Sequence, residues 1–301
     1  MTSPSSSEPP RLSTGVPGLD ERLGGGLLPG TLTVVLGAMG AGKTQLGLQF
    51  AEAGRREEGH AGVIFDMSTR GDPQSHGNYA ARMFDWRLAE ADATRTPTLA
   101  ELFDTGTAAA DYLHVFEQTG RRPFREEMAF EIWRDWKRQL VQRLGVTIAF
   151  FYGNFIRGVR RAVVDGVEPV ERPSDSIQFE LFEYVYHQVI RKEAEWVARD
   201  LLRQDFRSHA DEVAAHRYDP TRTACLLLYT SAETMLDPLI ERQIDEGDLL
   251  SNANTVIAMG KIREGRRLGK ALYVAKHRGS AASEEIHPYT ISDRGIALLD
   301  D

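Results

Sequence analysis

The most constraining feature of this chain is the run Gly37-Ala38-Met39-Gly40-Ala41-Gly42-Lys43-Thr44, which has the spacing GxxxxGK[ST]. An apolar stretch from Leu32 to Leu36 leads into it, and a helix-like stretch follows. A strand, a glycine turn and a helix in this order form a phosphate-binding loop. Glycines let backbone N–H groups face a phosphate, and the helix N-terminus adds a positive dipole end. The sequence therefore predicts a nucleotide site at residues 37–44.

Three side chains are expected to complete this site. Lys43 is placed to reach the β- and γ-phosphates of a nucleotide, and the Thr44 hydroxyl is placed to hold Mg²⁺. A phosphate-loop enzyme also needs a carboxylate at a strand end to orient the metal ion and its water. Asp165 ends an apolar run and lies one long helix before another strand, which is the order required. The predicted cofactors are ATP and Mg²⁺.

The periodicity of apolar residues predicts an α/β fold. A second strand at 62–67 follows the first helix, and this strand–helix–strand order implies a right-handed crossover and a parallel sheet. Helical patterns cover about 75–95, 124–157 and 177–215. Further strands are predicted near 112–116, 161–166, 224–229, 254–259, 270–276 and 286–291.

Composition limits the classes of function. The chain has 301 residues and a formal net charge of −8, which argues against a dedicated nucleic-acid binder. Its single cysteine, Cys225, lies in an apolar run, as a buried structural thiol would. Residues 1–10 are rich in Ser and Pro and indicate a disordered tail without a signal peptide. The longest mainly apolar window, 146–156, is too short to cross a bilayer. We therefore expect a cytoplasmic protein without a membrane contact.

Segments at both ends of the chain carry patterns more specific than the phosphate loop. They are Ser13-Thr14-Gly15-Val16-Pro17-Gly18-Leu19-Asp20, Gly24-Gly25-Gly26, Lys276-His277-Arg278-Gly279-Ser280 and His287 to Ile296. With residues 37–44 as a Walker A motif and Val163-Val164-Asp165 as a Walker B motif, these segments resemble the KaiC-like branch of the RecA-type ATPases. The resemblance covers about residues 11–70 and 160–298, whereas the stretch from about 95 to 160 matches poorly.

This resemblance implies a RecA-like P-loop NTPase fold, in which a twisted, mainly parallel central sheet is flanked by helices. It implies a single ATPase domain over 11–301 with a family-atypical helical insertion at about 95–160. It also implies a homo-oligomeric ring, usually a hexamer, with ATP bound between subunits. Lys276 and Arg278 fall at positions that in the family reach the γ-phosphate of the neighbour's nucleotide, and supplying an Arg in trans couples hydrolysis to assembly.

The chain departs from the family at the end of the second strand. The family carries one or two glutamates there that polarise the attacking water, whereas Ser68 and Thr69 occupy these positions here. A hydroxyl is not appreciably ionised at neutral pH and cannot act as the base. Asp66 lies two residues back, about 6.6 Å away along a strand, and fits only if the strand ends early or the register slips. Asp72, on the following loop, is the other candidate base. We therefore expect ATP binding with slow or absent hydrolysis.

Several functions remain open at this stage. One is a ring-forming ATPase that acts as a nucleotide-dependent switch on an unknown protein partner. A second is a nucleotide-sensing scaffold without turnover, which the altered glutamate pair favours. A third is a DNA-associated ATPase, which the acidic balance disfavours, since Arg121-Arg122 and the stretch 263–267 are the only dense basic spots. Autokinase activity is a fourth, but nothing in the sequence indicates a phosphoacceptor.

Overall fold

The structure is a computed structural model that describes residues 10–68, 76–116, 130–168, 176–242, 249–279 and 281–299, with backbone alone over 130–142 and at 177 and 249. The strands are β1 Leu32–Gly37, β2 Val63–Asp66, β3 Tyr112–His114, β4 Arg161–Val167, β5 Ala224–Thr230, β6 Thr255–Glu264, β7 Arg267–His277, β8 Ile286–Ser292 and β9 Gly295–Leu298. The α-helices are α1 Leu19–Arg22, α2 Lys43–Glu57, α3 His76–Phe84, α4 Leu99–Phe103, α5 Phe130–Phe155, α6 Ile177–Tyr184, α7 Ala194–Leu202, α8 Ala210–Ala215, α9 Leu236–Glu241 and α10 Leu249–Asn252.

All the strands of the described ranges join one sheet in the order β3-β2-β4-β5-β1-β6-β7-β8-β9. The pairings from β3 through β6 are parallel, and those from β6 to β9 are antiparallel. β1 lies in the middle, between β5 and β6. The expected mainly parallel α/β architecture is confirmed, with an antiparallel extension at one side.

Strand residues alternate between two cores because successive side chains point to opposite faces of a sheet. In β1, Val34 and Leu36 pack with α5 to α10 on one face, whereas Val35 packs with α1, α2 and α3 on the other. The buried Cys225 of β5 belongs to the first core, as expected for a structural thiol. The sheet is therefore covered by helices on both sides.

Segments near both ends of the described chain hydrogen-bond to the same residue of α2. Gln49 donates from Nε2 to the carbonyl of Gly15 (3.2 Å) and to that of Ile296 (2.9 Å). Its Oε1 accepts from the Ile296 N–H at 2.7 Å. One buried amide thus satisfies backbone groups from the N-terminal segment and from β9.

Two helix predictions were wrong. The long helix expected over 177–215 is divided, since a π-helical turn at Val185–Ile190 ends α6 and Arg203 takes a φ of 50° after α7. The helix expected over 75–95 ends at Phe84, followed by Asp85 with a φ of 50°. Beyond it the Asp111 carboxylate accepts from Trp86 Nε1 and the Ala89 N–H, and Glu90 forms an isolated parallel bridge with Tyr112.

None of the helices in the described ranges is long and apolar enough to cross a bilayer. The feature that matters for function is the sheet edge where β1, β2 and β4 end. Because these strands are parallel, their carboxyl ends meet at that edge, and Asp66 lies in register with Asp165.

Candidate nucleotide-binding site

The phosphate loop turns sharply between β1 and α2. Gly40 has a φ of 76° and Gly42 a φ of 100°, conformations that only glycine adopts readily. No heavy atom of the described chain lies within 4 Å of the position that a Cβ on Gly40 would take. No described side chain caps the N-terminus of α2. The first-turn N–H groups have no intrahelical acceptor, so they are available to an anion at this end.

The cation of the loop is buried. Lys43 donates from Nζ to the carbonyls of Gly37 (2.9 Å) and Ala38 (3.0 Å). Burial lowers the pKa of Lys43, and the nearby Asp165 carboxylate opposes that shift. A desolvated ammonium group at the head of the loop attracts an anion more strongly than an exposed one does.

Thr44 and Asp165 meet beside the loop, as the sequence predicts. The Thr44 hydroxyl donates to Asp165 Oδ2 at 2.8 Å, although 121 residues separate the two. The other carboxylate oxygen, Oδ1, accepts from the Gly166 N–H at 2.7 Å. Burial favours the neutral form of Asp165, but the contacts with His76 and Thr44 outweigh it and lower the pKa. The carboxylate therefore stays ionised beside the hydroxyl.

The C-terminal strands hold the loop in place. Tyr289 of β8 donates its hydroxyl to the Ala41 carbonyl at 2.6 Å. Lys270 of β7 donates from Nζ to the Gly40 carbonyl at 3.0 Å. Ile291 and Ile296 lie so close that a Cβ on Gly42 would come within 2.8 and 3.0 Å of their Cδ1 atoms. The antiparallel extension therefore braces the phosphate loop from behind.

Asp66 ends β2, so the early strand end that a base at this position would need is present. Both oxygens of its carboxylate already accept hydrogen bonds, however. Oδ1 accepts from the Ser68 N–H at 2.8 Å, and Oδ2 accepts from the Tyr112 hydroxyl at 2.7 Å. Burial would raise the pKa of Asp66, but His76, Tyr112 and the Ser68 N–H outweigh it and hold the pKa well below its usual range. Such a carboxylate has little tendency to accept a proton.

His76 is the residue at this site that the sequence did not predict. It begins α3, and its Nε2 lies 2.9 Å from Asp165 Oδ2 while its Nδ1 lies 3.3 Å from Asp66 Oδ2. Burial alone would lower its pKa, but hydrogen bonds to the two carboxylates raise it to about 10. No local pattern in the sequence indicates this role, because a lone histidine at a helix start has no characteristic spacing.

The family model described as ATPase: KaiC matches residues 12–129 of the chain. This match supports a KaiC-like, RecA-type ATPase family. The predicted family and fold class are therefore confirmed, and the domain is of a nucleotide-binding ATPase type. No curated protein matches the sequence at a significant level.

The other predicted residues of the KaiC-like domain have different outcomes. Thr69 and Asp72 lie outside the described residues, so the role of Asp72 as a base stays a prediction. Lys276 donates from Nζ to the carbonyls of Leu250 (3.0 Å) and Ser251 (2.8 Å). Arg278 is exposed and lies within 3.4 Å of the Ser251 carbonyl. Within the described ranges, neither cation hydrogen-bonds to the phosphate loop of its own chain.

The residues present fit a magnesium nucleotide. The first turn of α2 offers N–H groups without intrahelical acceptors, and Lys43 offers a buried ammonium group, to phosphates. Thr44 and Asp165 offer oxygen atoms, which Mg²⁺ prefers. Within the described ranges, no group of three or more His, Cys, Asp or Glu side chains could hold a metal ion by itself. The protein ligands are thus too few for a complete metal shell, as expected where phosphates and waters supply the rest.

Proposed function

We propose that this KaiC-like domain binds ATP with Mg²⁺ and assembles into a homo-oligomeric ring that acts as a nucleotide-dependent switch with slow hydrolysis. The observation that carries the proposal is the buried Lys43 ammonium group beside an uncapped helix N-terminus, next to the Thr44–Asp165 pair. This arrangement places positive charge and oxygen ligands where a triphosphate and its metal ion need them. We also propose that residues 11–301 form one domain in the cytoplasm.

Ring assembly is supported by the position of Lys276 along β7. Lys270 of the same strand reaches the chain's own phosphate loop at Gly40. Lys276 lies six residues further, about 20 Å along a strand, which exceeds the reach of a lysine side chain. If Lys276 and Arg278 contact a nucleotide, as in the family they resemble, that nucleotide belongs to a neighbouring subunit.

Slow hydrolysis is supported by the state of the candidate base. When bound, Mg²⁺ supplies positive charge at the phosphates. With a nucleotide bound, Lys43 and the amides of the loop would orient the phosphates, and Asp165 would hold the metal ion or its waters. Asp66 keeps both carboxylate oxygens on internal donors and has a lowered pKa, so it is a weak acceptor for the proton of an attacking water.

The first experiment measures mass in solution and phosphate release on the same sample. We expect a larger species with ATP and Mg²⁺ than with EDTA, and turnover below roughly 1 s⁻¹, the low end of ordinary enzymes. A monomer under both conditions would refute assembly. Faster turnover that Asp66→Ala and Asp72→Ala leave unchanged would refute the account of the base.

A second candidate function is a scaffold that ATP assembles without turnover. The hydrogen-bonded, low-pKa carboxylate of Asp66 favours it, whereas Lys276 and Arg278 favour hydrolysis. Phosphate release indistinguishable from the Lys43→Ala background, together with ATP-dependent assembly, would select the scaffold. Salt-dependent binding of DNA would instead support the DNA-associated alternative.

A further inference from the structure

His76 joins the two acidic side chains at the carboxyl edge of the sheet. Its ring lies between Asp165 of β4 and Asp66 of β2, with one nitrogen toward a carboxylate oxygen of each. The side chain is 12% exposed, so water replaces these contacts only to a small extent. The imidazole is thus a built part of the site, held by partners from two neighbouring strands.

The oxygen that His76 contacts is crowded. Asp165 Oδ2 accepts from the Thr44 hydroxyl at 2.8 Å and lies 2.9 Å from His76 Nε2. A carboxylate oxygen has about two lone-pair sites, and these two contacts use both. Thr44 can donate its hydrogen to Asp165 and still present an oxygen lone pair to a metal ion, whereas a donating ring nitrogen has no lone pair left.

We propose that His76 is an internal competitor of the divalent cation for Asp165. When a cation or one of its waters takes up Asp165 Oδ2, His76 Nε2 must leave that oxygen, while Thr44 can remain. This inference rests on the proposed nucleotide site at residues 37–44. It adds that the metal dependence of nucleotide affinity is set by a residue on α3.

The competition has opposite consequences with and without the metal ion. Without a metal ion, the contact of His76 Nε2 with Asp165 Oδ2 occupies that oxygen and so reduces the repulsion between the carboxylate and incoming phosphates. With a metal ion, the same contact has to be broken, which reduces the gain in affinity that the metal ion provides. His76 therefore narrows the difference between nucleotide affinity with Mg²⁺ and nucleotide affinity without it.

Calorimetry with ADP and with adenosine imidotriphosphate tests the proposal, each titrated in Mg²⁺ and in EDTA. For His76→Ala we expect the ratio of Kd in EDTA to Kd in Mg²⁺ to rise about tenfold, the scale of a hydrogen bond to a charged group. His76→Gln keeps an N–H donor and should give an intermediate ratio. The matched control is His114→Gln, since His114 lies on neighbouring β3 and contacts the Ser68 carbonyl at 2.8 Å.

Each outcome separates the two proposals. If His76→Ala weakens binding equally under both conditions, the residue has only a structural role and the inference is overturned. If the wild-type protein binds neither nucleotide under either condition, the proposed function itself fails, and this inference fails with it. A ratio that rises equally in His114→Gln would show a general effect of the sheet edge and would also overturn the inference.

A measurement on the wild-type protein avoids any folding defect of the variants. Release of His76 from Asp165 should loosen the first turn of α3, so hydrogen exchange in a peptide that spans His76–Phe84 should be faster with ADP and Mg²⁺ than with ADP and EDTA. Equal or slower exchange with Mg²⁺ would contradict the proposed displacement.

Discussion

Replacing Arg161 by Ala should destabilise the domain far more than a typical substitution. This guanidinium is fully buried at the start of β4, and its Nε donates to Glu58 Oε1 at 2.9 Å. It also donates to the carbonyls of Ser13 (2.6 Å) and Phe50 (2.9 Å) and contacts the Glu57 carboxylate. Removing it leaves the Glu58 carboxylate buried without its cation, a loss of about 3–5 kcal/mol. The thermal midpoint should fall by roughly 6–10 °C.

The pH dependence of this loss follows from Glu58. Burial raises the pKa of Glu58, and Arg161 opposes that shift, so the variant should raise this pKa further. When the pKa of a carboxyl group is raised by folding, the folded state loses stability as the pH rises through that pKa. The difference between variant and wild type should therefore be largest near pH 8 and shrink toward pH 5.

Calorimetric or denaturant melts of purified protein measure both effects. Adding Glu58→Gln to the Arg161→Ala variant removes the uncompensated charge and should restore part of the stability. The control is Arg56→Ala, an exposed position on α2, which should change stability by less than about 0.5 kcal/mol. A loss below about 1 kcal/mol in Arg161→Ala, or no recovery in the double variant, would refute the reasoning.

Three further predictions concern the site itself. Lys43→Ala should abolish nucleotide binding without unfolding the chain, and unchanged affinity by calorimetry would refute the site. Gly166→Ala should lower the free energy of unfolding by about 2–4 kcal/mol, because its φ is 85° and a Cβ would lie 2.2 Å from the Ser68 nitrogen. Gly59→Ala, with a φ of 79° and no heavy atom of the described chain within 4 Å of the added Cβ, should lower it by only about 1–2 kcal/mol. Similar melting points for both variants would contradict this. Lys276→Ala should leave nucleotide affinity of the monomer unchanged and lower phosphate release from the assembled form, and a change in monomer affinity would exclude action in trans.

The sequence predicted the phosphate loop and its neighbours well because their signals are local or depend on strand order. The motif at 37–44, the strand before it and the helix after it are contiguous. Asp165 could be found because parallel strands end at one edge, so an acid near the carboxyl end of a later strand comes near Thr44. The single-domain boundaries and the 95–160 insertion stay predictions, although Tyr112–His114 within that stretch forms β3 of the central sheet.

The remaining features depend on contacts that no local pattern encodes. His76 reaches Asp165 across 89 residues, and the sequence around it reads only as a helix start. The break in the predicted helix at 177–215 follows from packing, since Arg191 after the π-helical turn bonds the distant Gly30 carbonyl at 2.6 Å. The hairpin of β6 and β7 extends beyond the predicted strands. Its outer residues are charged and exposed, so the apolar periodicity from which strands were predicted does not include them.

The central position of β1 constrains when the nucleotide site can form. Its two neighbours in the sheet, β5 and β6, begin about 190 residues or more further along the chain. A ribosome therefore completes the whole motif at 37–44 long before it has synthesised the strands that hold β1 in place. A fragment that ends at residue 129, where the family match stops, would contain every letter of the motif and lack the scaffold that shapes it.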